Sequence, residues 1–212
     1  MAITTERLIL RRWRQEDREP FARLNSDPAV MEFMPALLAR AESDAMVDRI
    51  EAHFAVNGFG LWAAELKATA EFIGFIGLSI PRFEAHFTPC VEIGWRLARE
   101  HWGRGLATEG GQAVVDHAFR NLGLRELVSF TYEGNTRSRR VMEKIGMTHH
   151  AADDFDHPGF PPGHHLRRHV LDRAAPMRAK PGAGHLMRTQ ESRSAVTDPW
   201  GGPGRRYYGR AG

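Results

Sequence analysis

Apolar residues along positions 1–172 recur at two spacings, which predict strands and helices in turn. Runs rich in β-branched and aromatic residues predict strands at 8–13, 61–66, 72–80, 89–97, 126–132, 147–150 and 166–171. Helical spacing predicts helices over 15–25, 43–57, a stretch ending at 121, and 135–145. The order βααβββαβαββ predicts an α/β (α+β) protein with a central mixed sheet and helices on both of its faces.

The last part of the chain has a composition unlike the rest. Residues 173–212 contain 7 Gly and 4 Pro, and their only Leu, Ile, Val or Phe residues are Leu186 and Val196. Such a segment buries too little apolar surface to offset the entropy that is lost when a chain is ordered. We therefore predict one domain at 1–172, followed by a disordered basic tail at 173–212.

The sign of the net charge also changes between residues 1–172 and 173–212. The net charge is +3, but residues 1–172 hold 21 basic and 24 acidic side chains, whereas residues 173–212 hold 8 basic and 2 acidic ones. A basic excess that would attract nucleic acid is therefore confined to the tail. The domain itself is not expected to bind nucleic acid.

Cysteine usage and the apolar runs bear on the compartment. Cys90 is the single cysteine, so no internal disulfide forms and a reducing compartment is expected. The start of the chain lacks a basic stretch followed by an apolar core, and the apolar run at 72–80 is too short to span a bilayer. These features predict a cytoplasmic protein with no membrane partner.

The strongest chemical signal is a glycine-rich turn between a predicted strand and a predicted helix. Gly103 and Gly105 allow a tight backbone path, after which the amides from Arg104 to Thr108 lie at the start of the helix. Unpaired N–H groups and the helix dipole suit a pyrophosphate at such a place. A close packing turn between strand and helix accounts for these residues equally well, and the third glycine of the dinucleotide fingerprint is missing.

A second signal follows the next predicted strand. Asn135 and Ser138 lie three residues apart, on one side of the first turn of a predicted helix. Their amide and hydroxyl groups would reach a ligand that lies in the crevice between strand ends. The alternative is simple N-capping by Asn135, with Ser138 in solvent.

In this order and spacing, the two signals resemble the cofactor motifs of the GNAT superfamily of N-acetyltransferases. The segments 5–13, 91–97, 101–109 and 135–146 carry the resemblance, which covers roughly 1–172 and is closest to the RimJ/RimL-like branch. It implies the GNAT fold, with a mostly antiparallel sheet and splayed fourth and fifth strands. It also implies acetyl-CoA as co-substrate and an amine acceptor, either a protein N-terminus or a small molecule.

The resemblance assigns residues to the cofactor. Trp102, Gly105 and Ala107 take the first, fourth and sixth positions of the family's pyrophosphate pattern. The amide of Leu97 corresponds to the one that faces the thioester oxygen in the family. The full set of expected cofactor contacts is Trp95, Arg96, Leu97, Trp102, Gly103, Arg104, Gly105, Leu106, Ala107, Thr108, Asn135 and Ser138.

Glu92 and Ser138 are the candidates for catalysis. Several family members carry a glutamate base near the position of Glu92, where partial burial would raise the pKa of the carboxyl group. A purely structural carboxylate is the alternative. Many members use a tyrosine as the acid where this chain has Met142, so Ser138 is the expected substitute, acting directly or by ordering a water.

Other hypotheses stay open beside these. Met142 gives some weight to a catalytically silent CoA-binding or RNA-binding module. The six histidines between positions 149 and 169 include adjacent pairs in a Pro-rich loop, a spacing that matches no usual ligand frame, so no metal site is predicted. This loop is expected to be either a polar flap near the acceptor or a solvated loop. Both a monomer and a homodimer are compatible with the sequence.

Overall fold

The computed structural model describes residues 2–176. Its strands are β1 (Ile3–Thr4), β2 (Leu8–Arg11), β3 (Leu61–Leu66), β4 (Phe72–Ser79), β5 (Glu92–Leu97), β6 (Leu127–Tyr132), β7 (Thr148–His149), β8 (Phe155–Asp156) and β9 (Arg168–Ala174). Its helices are α1 (Arg18–Ser26), α2 (Arg40–Asn57), α3 (Leu106–Arg120) and α4 (Thr136–Lys144), with short 3-10 turns at Gln15–Asp17, Arg99–His101 and Ala151–Asp153. Every predicted element is present, and the two-residue strands β1 and β8 are additions.

The strands form one sheet in the order β1-β2-β3-β4-β5-β6-β9-β7, with β8 beside β9. Neighbouring strands are antiparallel except β5 and β6, which run parallel and are connected through α3. A parallel pair needs a long crossover of this kind, because a hairpin returns the chain in the opposite direction. The predicted mixed, mostly antiparallel sheet is therefore confirmed.

Helices cover both faces of this sheet, as predicted. The ring of Phe21, in α1, lies 6.1 Å from the ring of Phe75 in β4. The side chain of the next residue, Ile76, packs so close to α3 that a Cβ added at Gly110 would lie 2.4 Å from its Cδ1 atom. Consecutive strand residues point to opposite faces, so α1 and α3 lie on different sides of the sheet.

The sheet opens at its centre, between β5 and β6. These strands pair only at Glu92 and Val128, where the Val128 N–H donates to the carbonyl oxygen of Val91 at 3.0 Å. Both strands continue beyond this pair without a further bridge, and a cavity of about 250 Å³ lies where they part. This is the splay that the family resemblance implies.

The described part of the chain ends close to the predicted domain boundary. Strand β9 continues to Ala174, two residues past position 172, and Arg173 forms ion pairs with Glu126 at 2.8 Å and Asp153 at 2.9 Å. Residues 177–212, which make up most of the predicted tail, lie outside the described residues. Within residues 2–176, no helix is both long and apolar enough to cross a membrane.

Candidate functional site

The glycine-rich turn leaves the start of α3 free of capping side chains. Gly103 and Gly105 have φ angles of 71° and 76°, the left-handed region that glycine adopts without strain. Gly105 is the N-cap of α3, and it has no side chain that could accept from the first-turn amides of Leu106, Ala107 and Thr108. These N–H groups and the positive end of the helix dipole can therefore bind an anion such as a pyrophosphate.

A hydrogen-bonded brace from the N-terminus of the chain holds this turn. The carboxylate of Glu109 accepts from the Thr5 hydroxyl at 2.5 Å, from the Arg7 N–H at 2.7 Å and from the Arg7 Nε at 2.6 Å. Arg7 also donates from Nη1 to the carbonyl oxygen of Arg104 at 2.9 Å. Partial burial alone would raise the pKa of Glu109, but the bonds from Thr5 and Arg7 outweigh it and lower the pKa.

Trp102 ties the same turn to the end of β5. Its indole Nε1 donates to the carbonyl oxygen of Leu97 at 2.8 Å, and the guanidinium carbon of Arg137 lies 4.6 Å from the centroid of its ring. Trp102 therefore joins β5 to the first turn of α4 through a hydrogen bond and a cation–π contact. Arg104 is exposed, with its Nη1 3.3 Å from Nδ1 of His101.

The main chain of β5 presents polar groups to the gap. Ala98 donates to Ile73 of the β4 side at 2.9 Å, and Val91 accepts from the β6 side. Successive residues of an antiparallel strand direct their N–H and C=O groups to alternate sides. The N–H groups of Trp95 and Leu97 therefore face the gap. Because β6 pairs with β5 only at Glu92 and Val128, no strand bonds to these two groups among residues 2–176.

The cavity at the centre of the sheet, which we call the splay cavity, is lined by β3, β4, β5, β6, β9, α4 and the loops after α1 and β8. Its lining includes Phe33, Met34, Ser79, Glu92, Arg96, Ser129, Thr131, Asn135, Ser138, His157, Phe160 and His169. The cavity thus brings together Glu92, Asn135 and Ser138, which the sequence singled out in two separate segments.

Glu92 is the acidic side chain of the splay cavity. It lies at the point where β5 and β6 part, and the hydroxyl of Ser79 donates to its Oε2 at 3.1 Å. Burial raises the pKa of Glu92 to about 7, although the bond from Ser79 acts in the opposite direction. A carboxyl group with this pKa changes its protonation state near neutral pH.

Asn135 and Ser138 have separate roles in the local structure. The Oδ1 atom of Asn135 accepts from the Ser138 N–H at 3.1 Å, which is an N-cap, and its Nδ2 donates to the Thr131 hydroxyl at 3.0 Å. The Ser138 hydroxyl has no hydrogen-bond partner among residues 2–176 and lines the splay cavity. Met142 is fully buried in the core.

The main chain of Arg96 faces β4, whereas its side chain lines the splay cavity, and its expected contact with the cofactor stays a prediction. Its main chain pairs with Phe75 of β4, so its N–H and C=O groups face away from the gap. Its side chain donates to Oδ1 of Asn25 at 2.7 Å and lies 3.2 Å from Sδ of Met34, in the loop that follows α1. The sequence placed Arg96 along the cofactor, and no local pattern indicated these contacts.

The histidine-rich loop contributes two rings to the wall of the splay cavity. His157 and His169 lie 4.8 Å apart between ring centroids, and burial lowers the pKa of both, that of His169 to about 4. Nδ1 of His169 lies 3.2 Å from the carbonyl oxygen of Arg167, so Nδ1 carries the proton and Nε2 is an acceptor. The sequence indicated a flap without identifying these two histidines.

Potential metal ligands also occur outside the cavity. Within residues 2–176, one trio, Glu71, Glu100 and His101, has ligand atoms within 4.8 Å of one another. Both acidic residues are exposed, and Nε2 of His101 lies 3.5 Å from Glu71, which accounts for the geometry as an ion-pair contact. None of the three lines the splay cavity.

The combination of an open parallel pair, a glycine turn at a helix start and a capped helix after β6 also characterises a known family. The model of the acetyltransferase (GNAT) domain matches residues 7–148. The chain belongs to the GNAT family. It is therefore an acyltransferase of the N-acetyltransferase class, and GNAT acetyltransferases use acetyl-CoA.

Individual members of the GNAT family agree with this assignment. The YkkB protein of Bacillus subtilis is 34% identical over 146 residues, which is 68% of this chain and 84% of YkkB. FsC-acetyl coenzyme A-N(2)-transacetylase of Aspergillus fumigatus is 34% identical over 174 residues, covering 76% of this chain and 71% of that protein. RimJ of Mycobacterium smegmatis, solved with CoA-disulfide, superposes with a TM-score of 0.64 at 19% identity, over 80% of this chain and 82% of RimJ. At that identity the likeness to RimJ shows the shared fold.

Proposed function

We propose that this GNAT protein transfers acetyl from acetyl-CoA to a primary amine by direct attack of the amine in the splay cavity. One observation carries the proposal. The carboxylate of Glu92, with its raised pKa, lies where β5 and β6 part, beside the strand edge that is open to a ligand. A proton acceptor and an open strand edge in one cavity are what acyl transfer to an ammonium substrate requires.

Acetyl-CoA fits the surface between the glycine turn and the gap. The free amides of Leu106, Ala107 and Thr108 would bind its pyrophosphate, and the N–H groups of Trp95 and Leu97, which face the gap, would bind the arm that leads to the thioester. Acetyl-CoA supplies the activated acetyl group. In this arrangement the Leu97 N–H is the donor that stabilises the negative charge developing on the thioester oxygen.

Glu92 acts as the general base in this proposal. Above pH 7 it is ionised, and it takes a proton from the acceptor ammonium, directly or through a water. An α-amine of pKa about 8 would lose its proton to this carboxylate at a cost of roughly 1.4 kcal/mol, whereas a lysine amine of pKa about 10.4 would cost roughly 4.6 kcal/mol. The raised pKa therefore favours acceptors with an α-amine.

Ser138 acts as the acid. Its hydroxyl is free of other described partners and lines the cavity, so it can give a hydrogen bond to the departing thiolate, directly or through a water. Met142 is buried in the core and has no proton to donate. Asn135 keeps the helix start in place and thereby positions Ser138.

Thiol release from acetyl-CoA in the presence of amines tests the proposal. We expect Glu92→Gln to lower kcat by roughly 100-fold to 10,000-fold. Ser138→Ala should lower kcat by about 10-fold while the KM for acetyl-CoA changes little, because one transition-state hydrogen bond is worth about 1.4 kcal/mol. Calorimetric titration with CoA should give unchanged affinity for both variants.

A silent CoA-binding module is the second candidate function, and the observation that favours it is Met142 at the position of the family's acid. The two functions differ in a single outcome. Tight CoA binding without thiol release for any peptide or small-molecule amine would support the module. Release that depends on Glu92 would exclude it.

A further inference from the structure

The side chain of Arg96 is a half-buried cation whose partners are all neutral. It donates to the amide oxygen of Asn25 at 2.7 Å and contacts the sulfur of Met34 at 3.2 Å, and the ring of Phe75 lies 5.5 Å from its guanidinium carbon. Its Nε is buried with no hydrogen-bond partner. Among residues 2–176, no carboxylate forms an ion pair with it.

A guanidinium in this setting is costly to the fold. Burial of a charge without a counter-charge is unfavourable by several kcal/mol, and buried arginines are therefore usually paired with carboxylates. Burial lowers the pKa of Arg96 to about 10, which still leaves the group charged at neutral pH. The protein thus maintains one uncompensated positive charge in the wall of the splay cavity.

Arg96 also lies on the same face of β5 as Glu92. The two residues are four positions apart, which corresponds to roughly 13 Å along a strand, and both side chains line the cavity. The other titratable groups of the cavity wall, His157 and His169, have pKa values lowered by burial and are neutral at neutral pH. A ligand whose amine is at Glu92 therefore meets one positive charge elsewhere in the cavity, at Arg96.

We propose that Arg96 binds a carboxylate of the acceptor, so that the acceptor class is an amine that also carries a carboxylate, several bonds from the nitrogen that is acetylated. This inference rests on the proposed function. A guanidinium is a planar fork of N–H donors that matches a carboxylate in two parallel hydrogen bonds, and the described residues leave the Nε–H of Arg96 unused. The carboxylate of the acceptor would then supply the negative charge that no residue among 2–176 places beside Arg96.

Glycine oligomers of one to four residues, each as the free acid and as the C-terminal amide, test the inference. They keep an α-amine constant in kind while the distance to the carboxylate increases by up to about 3.6 Å per residue. We expect the wild-type protein to show, at one length or more, a kcat/KM at least 10-fold higher for the acid than for the amide. Arg96→Gln should abolish this preference by lowering the rate with acids alone, and Arg96→Lys should retain part of it.

Arg120→Gln is the matched control, because Arg120 is an exposed arginine in the last turn of α3, and it should leave the acid-to-amide ratio unchanged. Equal rates with acids and amides would overturn the inference. So would an Arg96→Gln variant that is slowed equally with both, since this would mean that Arg96 only holds the loop at Met34.

A binding measurement distinguishes a failure of the inference about Arg96 from a failure of the proposed function. Calorimetric titration of the same peptides into the CoA-loaded protein does not depend on turnover. If neither these peptides nor any other peptide or small-molecule amine releases thiol from acetyl-CoA, the proposed function fails. The inference about Arg96 then stands or falls by whether the acids bind at least 10-fold more tightly than the amides to the wild type and equally to Arg96→Gln.

Discussion

Two arginines of the same sheet, the buried Arg11 and the half-buried Arg96, have surroundings that differ in charge. Arg11, in β2, donates to Asp17 at 2.7 and 2.8 Å and to Glu65 at 2.6 Å. Arg96, in β5, contacts only the neutral Asn25 and Met34. The hydrogen bond to Asp17, with help from Glu65, raises the pKa of Arg11, whereas burial lowers the pKa of Arg96.

We interpret this difference in charged partners as the difference between a structural cation, Arg11, and a ligand-binding one, Arg96. The ion pairs of Arg11 join β2, β3 and the 3-10 turn after β2, and they are complete within the fold. Arg96 borders the splay cavity, and its counter-charge is missing from residues 2–176. Both guanidinium groups are at least half withdrawn from solvent, and it is the presence or absence of a partner of opposite charge that indicates a ligand site.

The largest expected effect is the loss of stability on removing Arg11. Arg11→Met leaves Asp17 buried without its cation and Glu65 with only Arg14, at 3.1 Å, and we expect the free energy of unfolding to fall by roughly 3–5 kcal/mol. Urea denaturation measures it. A loss below about 1 kcal/mol would contradict the structural role of Arg11.

Replacing Arg96 by Met should change the free energy of unfolding far less than replacing Arg11. Arg96→Met removes an uncompensated charge but also the donor to the buried Asn25 Oδ1, so the two effects offset and the free energy of unfolding should stay within about 1 kcal/mol of wild type. Arg120→Met, at an exposed position, calibrates the method and should change stability by less than about 0.5 kcal/mol. A fall of several kcal/mol on Arg96→Met would place Arg96 in the same class as Arg11.

Glu92 gives a smaller, pH-dependent effect on stability. Its pKa is raised to about 7 in the folded protein, so the folded state binds more protons than the unfolded state between pH 4.5 and 7. The wild type should therefore lose about 1–3 kcal/mol relative to Glu92→Gln as the pH rises through this window. Denaturation of both proteins at pH 4.5 and pH 8 measures the difference, and a difference independent of pH would refute the raised pKa.

The smallest effect is expected from the tail. A chain ending at Pro176 keeps β9 intact, and we expect its kcat/KM to stay within about 2-fold and its stability within about 0.5 kcal/mol of the full chain. A chain ending at Asp172 also loses Arg173, with its ion pairs to Glu126 and Asp153, and should be less stable. Loss of activity in the longer of these two chains would show that the domain needs residues 177–212.

Features that depend on a few consecutive residues could be predicted from the sequence, whereas contacts between distant residues could not. The left-handed glycines 103 and 105 and the cap at Asn135 depend on a few consecutive residues, so the pattern predicts them. The contacts of Arg96 join residues 71 and 62 positions apart, which no local pattern records. The pKa of Glu92 could be expected to rise, but its value depends on how completely the strands enclose it.

The sequence also could not show which histidines reach the splay cavity. His169 lies in β9, and its ring reaches the splay cavity because β9 pairs with β6 across the sheet. Sequence alone locates the strand only to within a few residues, and β9 begins two residues later than position 166. Residues 166 and 167, which the sequence assigns to the strand, therefore lie in the loop before β9.

The pH dependence of kcat is the most direct test of the central claim that Glu92 accepts a proton from the amine in the splay cavity. With triglycine and saturating acetyl-CoA, log kcat of the wild type should rise with pH and bend near pH 7, where Glu92 ionises. Glu92→Gln should lose this inflection and retain only the titration of the amine, near pH 8. An inflection near pH 7 that persists in Glu92→Gln at undiminished kcat would contradict the account.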